Sequence, residues 1–246
     1  MDFLASTHFW VGVGQIIVID IVLGGDNAVV IALACRRLPP GLRTRGIVLG
    51  TAGAIVLRVV LIFFALALLT LPYLKLVGAA LLVWIGIKLL LPEDEHAGSG
   101  IRSSDRLWGA VKTVVIADLV MSIDNVIAIA AAAEGAGEEH KMLLVVFGLV
   151  VSIPIIVWGS QLVIRLMGRF PAIVTAGGML LGWIAGVMAV TDPAVLPYLP
   201  TTPPARPQGL PEPIDSVRYG AGLAAALLVL ALARLFKRRA AADACG

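Results

Sequence analysis

A chain of 246 residues that is 59% hydrophobic and only 14% charged, with a mean hydropathy of +0.98, is not a soluble globular domain. Such domains run about 45–50% apolar and about 25% charged. The net charge of +3 does not point to nucleic acid, because the basic residues gather at the ends of apolar runs. Several runs of about 20 apolar residues imply a polytopic α-helical membrane protein, and the short alternating segments of a transmembrane β-barrel are missing.

Seven transmembrane spans are predicted, at about 9–34, 46–70, 72–91, 108–133, 142–166, 171–190 and 217–236. The residues ahead of the first, Met1-Asp2-Phe3-Leu4, form no basic leader and the span itself carries two acids, so it reads as a retained span and not a signal peptide. Arg36, Arg37, Arg43 and Arg45 follow it and place that loop on the cytoplasmic side. The loop 92–107 mixes Arg102 and Arg106 with Glu93, Asp94, Glu95 and Asp105, and it is expected to be cytoplasmic. Arg165 and Arg169 return to the inside, as do Arg234, Lys237, Arg238 and Arg239 of the tail. The N-terminus is therefore expected outside and the C-terminus inside. Residues 191–216 hold eight prolines and read as an extended exterior linker to the seventh span, 217–246 with its tail. Cys35 and Cys245 form no cluster and are read as bystanders.

The first and fourth spans carry the same acidic pattern at an offset of 98. Asp20 falls on Asp118, Asp26 on Asp124 and Asn27 on Asn125. Gly78 to Ile85 matches Gly177 to Ile184 at an offset of 99, through Leu81-Leu82 and Trp84 among others. Residues 1–91 thus repeat as 108–190. A unit of three spans is odd-numbered, so the second copy enters the membrane inverted, a plan recurrent in secondary transporters.

A carboxylate at the membrane centre costs roughly 2.5–3.5 kcal/mol, so four in matched pairs point to a polar pathway or a cation site. Residues six apart on a straight helix differ by about 240° net, so Asp20 and Asp26 converge only if the helix unwinds. Gly24 and Gly25 between them are the candidates for that unwinding. The second motif has Ser122 instead, whose hydroxyl can ligate or bond to backbone. Carboxylate, amide and hydroxyl oxygens suit hard divalent cations such as Mg²⁺, Ca²⁺ and Mn²⁺. Met121 is adjacent and reads either as a soft donor or as packing. Arg58, midway along the second span, is the counter-ion candidate, and its repeat partner is Ile156. Four carboxylates exceed the charge of one divalent ion, which makes exchange with protons plausible.

These motifs and the seven spans resemble the TerC family of bacterial integral membrane proteins, over about residues 9–236. The resemblance implies metal-ion homeostasis, with manganese export in several members and tellurite resistance in the naming of others. It carries the acidic motif onto Asp20, Asp26, Asn27, Asp118, Ser122, Asp124 and Asn125. Gly24-Gly25 departs from the serine version of the motif. The expected function is a secondary transporter exporting a divalent cation, Mn²⁺ first, across the bacterial cytoplasmic membrane, with protons as coupling ion and the bilayer as its surroundings. It needs no prosthetic group, and a homo-oligomer is compatible with the glycine-rich third and sixth spans. Two alternatives stay open: export of an amino acid or other small solute coupled to H⁺ or Na⁺, and a non-transporting scaffold in metal stress. An enzyme is disfavoured, since neither His-Glu-x-x-His nor Gly-x-Ser-x-Gly occurs.

Overall fold

Apolar runs with few charges fold in the bilayer as helices, because only a helix satisfies its backbone without water. The computed structural model describes residues 10–11, 14, 25–69, 71–91, 103–133, 141–203 and 211–243. Within these it is helical: α1 (Gly25–Cys35), α2 (Pro40–Leu69), α3 (Leu74–Leu90), α4 (Ser103–Ala133), α5 (Lys141–Arg169), α6 (Ala172–Val190) and α7 (Asp215–Asp243). The protein is an all-α polytopic membrane protein. Among the described residues, Pro40–Leu61, Leu149–Arg169, Ala172–Val190 and Asp215–Arg239 are long and apolar enough to cross a membrane by length and composition.

Several helices start earlier than the apolar runs, and local chemistry explains why. α2 begins at Pro40, six residues before the predicted span, because proline's fixed φ suits a first helical position. α4 begins at Ser103, inside the predicted loop 92–107, where Asp105 in the first turn complements the helix dipole. α7 runs past the predicted 217–236 at both ends, so the basic residues Arg234 to Arg239 are helical. α5 continues through Pro154, and nearby Ser152 donates to the Leu149 carbonyl at 2.8 Å.

The chain packs as two units that cut across the linear order. One comprises residues 1–69 and 102–166, the other 70–101 and 167–246. In the first, α2 packs along α4 because glycines let the backbones approach. A Cβ at Gly50 would lie 3.0 Å from Val114, and one at Gly53 would lie 2.9 Å from Val115. The contacts advance in the same direction on both helices, so α2 and α4 run parallel. α1 runs antiparallel to α4. Its last residue Cys35 reaches Gly46 beside Leu107, and its first turn faces Asp118. Ile31, Cys35, Ile47, Val114 and Ile156 form the apolar centre of this unit.

In the second unit α3 and α6 pack antiparallel, with Gly86 against the Gly178 carbonyl and Lys75 reaching Thr191. α7 lies antiparallel on α6, where a Cβ at Gly182 would meet the Ala225 carbonyl at 2.7 Å. Trp183 stacks on Tyr219 across the same seam. Such close small-residue packing is the usual glue between membrane helices.

The described parts of the proline-rich segment, 191–203 and 211–216, hold local structure where composition suggests an extended linker. Pro197 sits in a 3₁₀ turn, Leu196–Tyr198, and Thr201–Thr202 (β1) pairs antiparallel with Glu212–Pro213 (β2). Proline's φ fits both a turn start and an edge strand, so proline density here does not prevent local structure.

Candidate cation site

An arginine inside an apolar run must find acceptors within the protein, and the parallel register of α2 and α4 provides them. Arg58 is buried on α2 and its Nη2 lies 2.7 Å from Asp118 Oδ1 on α4. Its Nε donates to Ser122 Oγ at 3.1 Å. Ser122 Oγ in turn donates to Asp118 Oδ2 at 3.0 Å, one helical turn away. Three hydrogen bonds thus close a ring in which both oxygens of Asp118 are engaged. All three residues are at most 5% exposed.

α1 brings its first turn to the same region. Asp26 is half-buried and lies within electrostatic reach of both Asp118 and Arg58. Its Oδ1 accepts from the Asn27 backbone N–H at 2.8 Å. Asn27 is 5% exposed, and among the described residues its Oδ1 has no hydrogen-bond partner. A buried amide oxygen without a donor costs stability, so such an atom calls for a ligand.

Asp20 and Gly24 lie outside the described residues, and Gly25 is the first residue of α1. The predicted unwinding between Asp20 and Asp26 therefore lies outside them too. Asp124 and Asn125 are in α4, which runs as one helix through the second motif, and their side chains lie outside the described residues. Among the described residues, no three His, Cys, Asp or Glu side chains gather into a metal-binding group. Met121 is buried.

Three residues escaped the sequence reading. Thr51 on α2 and Ser160 on α5 are buried at 2% and 0% exposure, and among the described residues their hydroxyl oxygens have no partner. Thr51 lies two turns before Arg58 on the same face of α2, since residues seven apart nearly eclipse. Ser160 adjoins Gly159, which faces Ala28 of α1 next to Asn27. The third is Asp192, fully buried in the other unit, whose carboxylate accepts three backbone N–H groups.

The sequence model of the integral membrane protein TerC family matches residues 5–241, nearly the whole chain. The chain belongs to this family. This TerC protein is 44% identical over 191 residues to the uncharacterized membrane protein YjbE of Bacillus subtilis (strain 168), covering 78% of this chain and 82% of the relative. It is 26% identical over 196 residues to the uncharacterized membrane protein YceF of the same organism, covering 76% and 74%. The UPF0053 protein YegH of Escherichia coli (strain K12) is 27% identical over 192 residues, covering 71% of this chain but 35% of the relative. No solved structure matches the chain significantly.

Proposed function

We propose that this TerC protein is a secondary transporter that exports a divalent cation, with Mn²⁺ as the cargo, across the bacterial cytoplasmic membrane. The observation that carries this reading is the gathering of buried oxygens in one apolar unit: the Asp118 carboxylate, the Ser122 hydroxyl, the half-buried Asp26 and the unpartnered Asn27 Oδ1. Oxygen-only donors in a membrane interior suit a hard cation that must bind and leave. Asp20, Asp124 and Asn125 complete the proposed ligand set, as the family resemblance implies. Protons return in exchange, which balances the excess of carboxylates over one divalent charge.

Alternating access follows from an inverted repeat of α1–α3 and α4–α6. In support, the helices matched by sequence offset, α1 with α4 and α3 with α6, pack antiparallel within their units. The basic end of α7 faces the cytoplasm, and no side chain acts as a catalyst.

The test is total cell manganese in a Mn-sensitive bacterium after a Mn²⁺ challenge, at matched expression. The native protein lowers cell manganese, while Asp124→Asn, and the double variant Asp26→Asn/Asp124→Asn, insert normally and do not. Equal manganese in all strains overturns the reading in favour of another cargo or a scaffold.

A further inference from the structure

Asp118 is a ligand for the cargo in the proposed transport cycle, yet both of its oxygens are already bonded, one to a cation that belongs to the protein. A divalent ion that takes Asp118 competes with the Arg58 guanidinium for the same carboxylate. It brings two positive charges within a few ångströms of the guanidinium's one, on the carboxylate that the two share. Charge repulsion in a poorly screened interior therefore drives ion and guanidinium apart. Arginine keeps its charge under all physiological conditions, so it cannot leave the site by losing a proton.

We infer that Arg58 is a tethered substitute for the cargo: guanidinium and divalent cation alternate on Asp118. This rests on the transport reading above and specifies how the site is regulated. When the ion leaves, the guanidinium returns to Oδ1 and, through Nε, to Ser122. The carboxylate is then never exposed to the apolar interior without a cation. A carrier of this kind reorients after releasing its ion, because its buried charge is neutralised in both halves of the cycle. Ser122 fits the role, since its hydroxyl spans Arg58 and Asp118 and fixes the geometry to which the guanidinium returns. The matched position in the second half is Ile156, also buried, so a single substitute cation serves the site.

Net flux and exchange separate this inference from the transport reading itself. Purified protein in proteoliposomes is assayed for net Mn²⁺ movement into Mn-free medium and for one-for-one exchange of labelled against unlabelled Mn²⁺. Exchange uses only the loaded carrier, whereas net movement needs the unloaded carrier to return. Arg58→Gln is expected to keep exchange within about threefold of native and to lower net flux at least about tenfold, because the unloaded site must return with Asp118 unpaired. Arg58→Lys, which retains the charge, is expected to keep most of the net flux. Native net flux in folded Arg58→Gln overturns the inference, as does equal loss of both modes in the two variants. Native protein that moves Mn²⁺ in neither mode overturns the transport reading, and this inference with it.

If Arg58→Gln does not fold, an infrared difference spectrum of native protein with and without Mn²⁺ decides. The guanidinium band absent from Arg58→Lys shifts on adding Mn²⁺ if the ion displaces Arg58. An unshifted band overturns the inference.

Discussion

Asp192, at the end of α6, caps the beginning of α3 through Tyr73. Its Oδ1 accepts the Tyr73 backbone N–H at 2.9 Å and its Oδ2 accepts that of Leu76 at 3.1 Å. A third bond, from the Ala194 N–H at 2.8 Å, ties the following turn to the same carboxylate. The first N–H groups of a helix have no partner inside it, and here the acceptor comes from a distant residue. Tyr73 itself is held at φ 67, in the left-handed region.

Replacing Asp192 by Ala removes all three acceptors from a buried site and should cost about 1–3 kcal/mol. Asp192→Asn keeps one acceptor oxygen and should cost less. Tyr73→Gly should move the other way, because a left-handed conformation costs a side-chain-bearing residue roughly 1–2 kcal/mol. Thermal unfolding in detergent ranks the three, and hydrogen exchange at Leu74 to Val77 locates the effect.

The Arg58–Asp118 pair should show strong coupling in a double-mutant cycle. Asp118→Asn alone leaves a buried guanidinium short of its charge partner and should cost about 3–5 kcal/mol. Adding Arg58→Gln should recover part of that loss, with a coupling of about 0.5–3 kcal/mol. Unfolding midpoints of the four proteins measure it, and strict additivity would mean that the pair contributes nothing beyond its packing.

Thr51→Val and Ser160→Ala remove buried hydroxyls that have no partner among the described residues. Each should leave thermal stability unchanged or raise it by about 1–2 kcal/mol, since an unsatisfied buried oxygen is itself costly. On the transport reading the same changes should slow Mn²⁺ efflux. A more stable and slower protein is the outcome that assigns these oxygens to function; unchanged efflux would place both outside the path.

Gly186→Leu should detach α7 from α6. A Cβ at this position would collide with the Ala221 carbonyl of α7, and backbone cannot step aside as a flexible side chain can. Loss of several kcal/mol is expected, in line with overpacking of a close helix seam (about 1–3 kcal/mol or more). Proteolysis between residues 203 and 211 followed by native mass analysis checks whether α7 stays associated with the rest of the chain.

Much of the helical framework was readable from apolar runs of bilayer length, but the helix starts at Pro40 and Ser103 lie outside those runs, because proline geometry and a first-turn acid extend a helix without adding apolar length. The site was readable in part. An arginine amid apolar residues must have an acidic partner, but which aspartate it meets depends on the parallel register of α2 and α4. That register is set by Gly50 and Gly53 against Val114 and Val115, and no spacing within either helix reveals it. Thr51 and Ser160 were invisible because hydroxyls are common in membrane helices and become informative only when found buried and unpartnered. Asp192 stood among prolines and was grouped with a linker, while two of its partners lie 119 and 116 residues earlier.

That separation has a temporal consequence. At about 5–20 residues per second, the 116 residues between Leu76 and Asp192 take roughly 6–23 s to synthesise. Throughout that interval the start of α3 stands in the nascent protein without its acceptor. The second unit of the protein, which needs α3, α6 and α7 together, cannot close until the ribosome has passed Val229, where α7 packs beside Gly86 and Gly182. Early release or stalling before Asp192 would leave α3 as an uncapped helix in the bilayer, a ready target for membrane quality control.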